Sequence, residues 1–305
     1  MLTVVALGGN ALLQREDKPD AVIQRHHIRA AAASLAPLAA QDQLLICHGN
    51  GPQIGLLAME SADDPALSSP YPLDALGAQT QGMIGYWLAQ ELHNAGVARP
   101  IITVVTQTLV DAADPAFAAP SKFIGRVYPR AEAERLAEQH HWTIRADGSS
   151  WRRVVPSPRP LGIVEQGCVQ SLLETGAVVI CAGGGGAPVT RDGSGALMGV
   201  EAVVDKDYVS ARIALDLGAQ RLLILTDVSA VMRDFGTSDA SAITRLSIEQ
   251  AAALHFPNGS MGPKVDACVQ FTKTSGRPSA IGSLTEAAAV LRGEAGTTIR
   301  EETTS

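Results

Sequence analysis

Short runs of apolar residues alternate with longer stretches in which apolar positions recur every three or four residues. That is the signature of an α/β protein with strands packed between helices. The pattern predicts strands at 2–7, 44–47, 101–106, 177–181, 221–225 and 279–281, with 297–299 as a late edge strand. Several of these are apolar at consecutive positions, as strands covered on both faces are. Helices are predicted over 20–40, 74–94, 130–140, 164–174, 208–217, 248–255, 263–274 and 284–291. Pro37 is expected to bend or end the first helix, because it lacks a backbone N–H. Gly96, Gly176 and Gly218 stand where helix C-caps are expected, each just before a strand.

Between Asp111 and Pro160 the alternation breaks into a stretch rich in Pro, Gly and charge. It holds an Ala/Glu helix and the segment WTIRADGSSWRRVV, in which Asp147-Gly148 reads as a hairpin turn. This is a small α+β excursion from the main sheet, 115–156. The expected whole is one domain over 1–305, its two lobes dividing near residue 175.

Composition narrows the class. The 305 residues carry 24 basic and 31 acidic side chains, a formal net charge of −7, and only 4% aromatics. A nucleic-acid or anionic-membrane surface would need a basic excess, and a base-stacking platform more rings. No stretch is apolar and long enough to span a bilayer. The N-terminus runs straight into a Gly-Gly turn, so it reads as a first strand rather than a signal peptide. Four cysteines without C-x-x-C pairing read as reduced thiols of a cytoplasmic protein. Nineteen of the basic residues are Arg and five are Lys, which directs attention to where those lysines sit.

Glycine clusters follow three predicted strands: Gly8-Gly9-Asn10, Gly49-Asn50-Gly51-Pro52 and Gly183 to Gly186. In an open α/β sheet such loops line the ligand crevice, and glycine lets backbone N–H groups approach an anion. There is no G-x-x-x-x-G-K-[ST] loop. The second loop falls short of a dinucleotide fingerprint, because its third glycine, Gly55, comes one position late. Asp234-Phe235-Gly236 lacks the companions of a protein-kinase motif. No zinc-type His/Cys spacing and no G-x-S-x-G elbow occurs.

The lysines point to phosphoryl transfer. Lys206 lies in Asp205-Lys206-Asp207, Lys264 in GSMGPK, Lys122 in SKFIGR, and Thr226-Asp227 ends ILTD. Moving a phosphoryl group between anions needs positive charge aimed at it, with metal on the nucleotide phosphates. Taken alone, Asp205-Lys206-Asp207 also reads as a helix start with Asp as N-cap. The residues by themselves do not choose an acceptor.

The strings VVALGGNALL, HGNGPQIGLL, QTQGMIGYWL, TVVTQTLVDAADPAF, WRRVVPSPRP, VVICAGGGGAPV, GVEAVVDKDYVSA, LLILTDVSAV and GSMGPKVDA, in order along nearly the whole chain, resemble the carbamate kinases of the amino acid kinase family. The resemblance implies a three-layer α/β/α sandwich with a mainly parallel sheet, a protruding subdomain matching the excursion, and a homodimer. It implies the reversible reaction ATP + carbamate = ADP + carbamoyl phosphate, with Mg²⁺ carried by the nucleotide and no protein metal site. It further implies that Gly8, Gly9, Asn10, Gly49, Asn50 and Gly51 cradle the acceptor and the moving phosphoryl through backbone N–H groups. Lys206 and Lys264 would neutralise the phosphates, Asp207 would organise them, and Lys122 would reach in from the subdomain. Lys122 would then replace a lysine that other family members carry where this chain has Ala6. Asp205, Gly184, Gly185, Thr226, Asp227, Met261 and Gly262 would serve the nucleotide.

The chain departs from the family's K-P-I-G-P at Lys122-Phe123-Ile124-Gly125-Arg126, and from V-D-A-V-Y at Val228-Ser229-Ala230-Val231-Met232. A relative acting on another small carboxylate or amide, and a non-catalytic nucleotide-binding regulator, remain as alternatives.

Overall fold

The computed structural model describes residues 1–9, 12–14, 17–254, 256 and 261–301. Along the chain run β1 (Leu2–Leu7), α1 (Ala21–Gln41), β2 (Gln43–His48), α2 (Gly51–Asp63), α3 (Leu73–Asn94), β3 (Ile101–Thr103) and β4 (Gln107–Val110). Next come β5 (Lys122–Tyr128), α4 (Arg130–His140), β6 (Thr143–Asp147), β7 (Ser150–Val155), β8 (Pro160–Ile163), α5 (Gln166–Glu174), β9 (Val178–Ile180), β10 (Ala187–Arg191) and β11 (Leu197–Gly199). The last third holds α6 (Lys206–Asp216), β12 (Arg221–Thr226), β13 (Val231–Arg233), β14 (Ser241–Ile243), β15 (Arg245–Ser247), α7 (Ile248–Ala253), α8 (Met261–Ser275), β16 (Ser279–Ser283), α9 (Ala287–Arg292) and β17 (Thr297–Arg300).

Eight strands form one sheet in the order β15-β17-β16-β12-β1-β2-β9-β3. All its pairs are parallel except β16 with β17. Strand residues alternate between faces, and both faces are apolar. Leu2, Val4, Ala6, Leu45, Cys47, Leu222 and Ile224 pack against residues of α5, α6 and α8. Val5, Leu7, Leu44, Ile46, Leu223 and Leu225 pack against α1, α3 and α9. The result is the expected three-layer α/β/α arrangement, with β1 near the middle of the sheet.

The excursion folds as a separate three-stranded antiparallel sheet, β5-β7-β6, with α4 against it. Its turn follows Asp147, as the hairpin reading expects. Ile124 and Val155 of this unit share a small apolar cluster with Ile54 on α2, Leu73 and Leu76 on α3, and Val203. That cluster seats the excursion on the body of the molecule.

Four sequence expectations are corrected. Helix α1 runs through Pro37 to Gln41, in keeping with the predicted 20–40 span, so Pro37 does not end it. Pro37 faces solvent, as does Ala33, whose carbonyl loses its partner, while Leu35, Leu38 and Ala39 are buried and hold the helix in place. The strand at 101–106 divides: β3 stays in the main sheet, and β4 joins β8, β10 and β11 in a second, four-stranded sheet. Strand β17 is not at the edge, because β15, three residues long, pairs beyond it. Helix α2 follows a Gly-Asn-Gly-Pro stretch that reads as a loop; Pro52 is compatible with it because the first helical turn needs no N–H there.

Candidate active site

The carboxyl ends of β1, β2 and β12 bring their loops together, as the parallel order requires. Gly8 N–H donates to Leu225 O (2.7 Å) and Gly49 N–H to Leu7 O (2.9 Å), so the ladder continues one residue past the strands. This corrects the sequence reading for these two: their N–H groups are committed to the sheet and do not cradle an anion. Their glycine identity serves close approach instead. A Cβ on Gly49 would stand 2.7 Å from Gly9 N, and one on Gly8 would stand 3.0 Å from Thr226 Oγ1.

Helix α2 starts directly after Asn50. The Asn50 amide does not cap it but donates from Nδ2 to Thr80 Oγ1 (2.8 Å). Among the described residues no side chain caps the N-terminus of α2, which carries a partial positive charge. Asn10 lies outside the described residues, as do Gly259 and Ser260 of the GSMGPK string.

Lys206 and Lys264 meet at Asp207. Buried Ala202, Val203 and Val204 lead into Asp205, the N-cap of α6, whose Oδ1 accepts the Asp207 N–H at 2.9 Å. The capping and the chemical readings of Asp205-Lys206-Asp207 thus hold together. Lys206 Nζ donates to Asp207 Oδ1 (2.6 Å), and Lys264 Nζ, from the first turn of the neighbouring α8, to Asp207 Oδ2 (3.0 Å). Relative exposures are 7%, 6% and 2% for Lys206, Lys264 and Asp207. Burial pushes the Asp207 carboxyl up, but Lys206 and Lys264 outweigh it and hold the group below its ordinary value. Burial lowers Lys206, against Asp207, and the charge of Lys264 lowers it further. For Lys264 burial is outweighed by Asp207 and Asp205, which raise it.

Lys122 reaches the same cluster from β5 and donates through Nζ to Asp205 Oδ2. Burial would raise the Asp205 carboxyl, yet Lys122 and Lys206 keep it well below the usual carboxylate range. The subdomain is brought down by a glycine pair, since a Cβ on Gly55 of α2 would lie 2.0 Å from Gly125 Cα. That contact gives Gly55 a role unrelated to a dinucleotide loop. In place of the family's prolines, pairing with β7 stiffens the lysine's segment: Lys122 lies opposite Val155 and Phe123 opposite Val154. Arg126 turns outward over the Tyr128 ring, 4.8 Å from its centroid.

Thr226 and Asp227 lie at the end of β12, where Thr226 Oγ1 donates to Asp227 Oδ1 (2.8 Å). The charge of Asp227 acts on Lys264, so this loop lies on the α8 side of the cluster. Met261 and Gly262 open α8. Ser229 is exposed, and Met232 pairs with Ala242 in the β13–β14 ribbon.

Gly184 and Gly185 are packed closely against two other segments of the site. Gly184 has φ +64°, and a Cβ there would meet the Asn50 amide at 2.0 Å; one on Gly185 would meet Val204 O at 2.1 Å. This buried loop joins the acceptor-side turn to the segment that ends in Asp205.

His48 escaped the sequence reading, although HGNGPQ contains it. It is 1% exposed, its Nδ1 lies 3.0 Å from Gly49 O, and its ring backs onto Gly183. Burial lowers its pKa to about 4, with Lys206 acting in the same direction and the Gly49 contact against it. The imidazole is therefore a neutral prop under the Gly49 turn.

Among the described residues no cluster of His, Cys, Asp and Glu could hold a metal ion, and no helix is long and apolar enough to cross a membrane. The arrangement offers three lysines, two carboxylates that fix them and the N-terminal end of a helix. It can bind and polarise phosphoryl groups without supplying a nucleophile.

The comparisons agree with that chemistry. A carbamate kinase of Rhizobium meliloti (strain 1021) is 48% identical over 98% of this chain and 93% of its own length. A structure of carbamate kinase from Giardia lamblia bound to citric acid superposes with a TM-score of 0.93 at 38% identity, covering 99% of this chain and 98% of that one. The same Giardia enzyme bound to AMP-PNP gives 0.88 at 38% identity, with 99% and 98% covered. The model of the amino acid kinase family matches residues 1–283. With that match across most of its length, the chain belongs to the amino acid kinase family.

Proposed function

We propose that this protein is a carbamate kinase, a phosphotransferase with a carboxyl group as acceptor, catalysing ATP + carbamate = ADP + carbamoyl phosphate. The observation that carries the reading is the Lys206–Asp207–Lys264 group, whose segment is joined to the Asn50 turn by the Gly184-Gly185 loop packed against both Asn50 and Val204. The nearly full-length likeness to carbamate kinases supports the choice of acceptor.

In this reading Lys206 and Lys264 hold the phosphates, and Asp207 keeps the two ammonium groups at a fixed spacing. The free end of α2 and the Gly9 turn receive the carboxylate and the moving phosphoryl, and Lys122 covers them from β5. Thr226, Asp227, Met261 and Gly262 flank the nucleotide, which brings Mg²⁺ on its phosphates. Carbamate oxygen attacks the γ-phosphorus in line, so positioning and electrostatics do the work. The two halves of the chain, divided near residue 175, serve acceptor and nucleotide respectively. Physiological flux runs toward ATP in carbamoyl phosphate catabolism, as a cytoplasmic homodimer, in keeping with the family resemblance.

The test is ATP formation from ADP, Mg²⁺ and carbamoyl phosphate, with ADP binding measured separately. Robust ATP synthesis is expected. Tight ADP binding without ATP would overturn the reading in favour of a regulator or another acceptor.

A further inference from the structure

Asp205 has more to do than cap a helix. Its two oxygens are divided between partners: Oδ1 accepts the Asp207 N–H at 2.9 Å, and Oδ2 accepts from Lys122 Nζ. The carboxylate is buried, whereas the Lys122 side chain is 30% exposed and sits on the separate β5-β7-β6 unit. Asp205 belongs to the segment that also presents Lys206 and Asp207. Val203, two residues earlier, packs with Ile124 and Val155 of the subdomain, and its N–H donates to Pro156 O at 2.9 Å. Phe123 O would lie 4.0 Å from a Cβ on Gly51, so the strand carrying Lys122 passes over the start of α2. Lys122 is thus held between the acceptor turn and the lysine pair by one carboxylate.

The charges explain why a carboxylate suits that position. Lys122, Lys206 and Lys264 set against Asp205 and Asp207 leave a single net positive charge in the cluster. Without Asp205, an ammonium on a flexible stem would be repelled by Lys206 and Lys264 and would turn to solvent.

We propose that Asp205 is the positioning residue of Lys122: it docks the subdomain's ammonium at the edge of the lysine pair and yields it to the phosphoryl group during transfer. This rests on the phosphoryl-transfer reading and adds a role distinct from nucleotide contact. Asp205 touches Lys122, not the reacting atoms.

Asp205→Asn separates its two duties, because Asn caps helices about as well as Asp but carries no charge. We expect kcat for ATP synthesis to fall at least about tenfold through loss of orientation, with KM for carbamoyl phosphate unchanged or lower, since a negative charge has left the site. Adding Lys122→Met to Asp205→Asn should cost no more than Lys122→Met alone. Hydrogen exchange of the β5 amides should quicken in Asp205→Asn relative to the main sheet, a readout that needs no turnover. Multiplicative losses in the double variant, a raised KM with kcat intact, or unaltered β5 exchange would each overturn the proposal. If the wild type makes no ATP, the function reading fails, while the exchange experiment still decides the docking. Should Asp205→Asn not fold, Asp205→Ser keeps a capping oxygen and serves the same tests.

Discussion

Two ammonium groups share the Asp207 carboxylate in a site almost closed to water, so each of the three residues depends on the others. Truncating Lys264 removes one of the charges aimed at the phosphates and, among the described residues, leaves Lys206 as the remaining ammonium on the Asp207 carboxylate. Lys264→Ala is expected to lower kcat at least about a hundredfold, the scale for losing one preorganised transition-state contact. A near-wild-type rate with intact folding would contradict that role. At this scale the sequence was informative about the lysines, since five in a chain with nineteen arginines stand out, and three of the five meet here. It was misleading about Gly8 and Gly49. A glycine after a strand signals either an exposed N–H or a close backbone approach, and only the ladder bonds to Leu225 and Leu7 distinguish the two.

The elements that matter most are α2 and β5, because their contact sets where Lys122 lies. Gly55 and Gly125 touch backbone to backbone, with no flexible side chain to yield. Gly55→Ala is expected to force β5 away from α2 and reduce turnover, while leaving ADP affinity near wild type because the Thr226–Asp227 turn is on another strand. Weakened ADP binding to the same degree as turnover would show a general disruption instead. That contact was not legible beforehand. Helix α2 was hidden by its Gly-Pro start, and Gly55 looked like a failed nucleotide loop until β5 was seen against it.

For the molecule as a whole, acid is the informative variable. His48 titrates at about 4 in the fold against 6.5 when free, and burial is the main cause. As pH falls through 6.5 the unfolded chain takes up a proton that the folded chain refuses, so stability drops until about pH 4 and this contribution then levels off. The loss from this residue is about 3 kcal/mol, at 1.36 kcal/mol per pKa unit. The carboxylates of Asp205 and Asp207 act lower, below their ordinary value of 3.8, where their protonation removes the lysines' partners. Denaturant titrations at pH 7 and pH 4.5 should therefore show a smaller difference for His48→Gln than for the wild type. An equal difference would mean that His48 is not held neutral.

The sequence by itself determined the α/β class, most strands of the main sheet, the excursion and the lysines, because apolar periodicity and rare residue types are local signals; the three layers came from the resemblance, and the short β15 left no signal. Its resemblance strings also named the acceptor class. Only the tertiary structure decided that the Gly8 and Gly49 N–H groups join the sheet, that Asp205 faces Lys122 across 83 residues, that Gly184 supports Asn50, and that His48 stands under the Gly49 turn. Those facts depend on which distant segments come to lie side by side. A hydrogen bond or a backbone contact between strands leaves no periodic trace in either of the segments that make it.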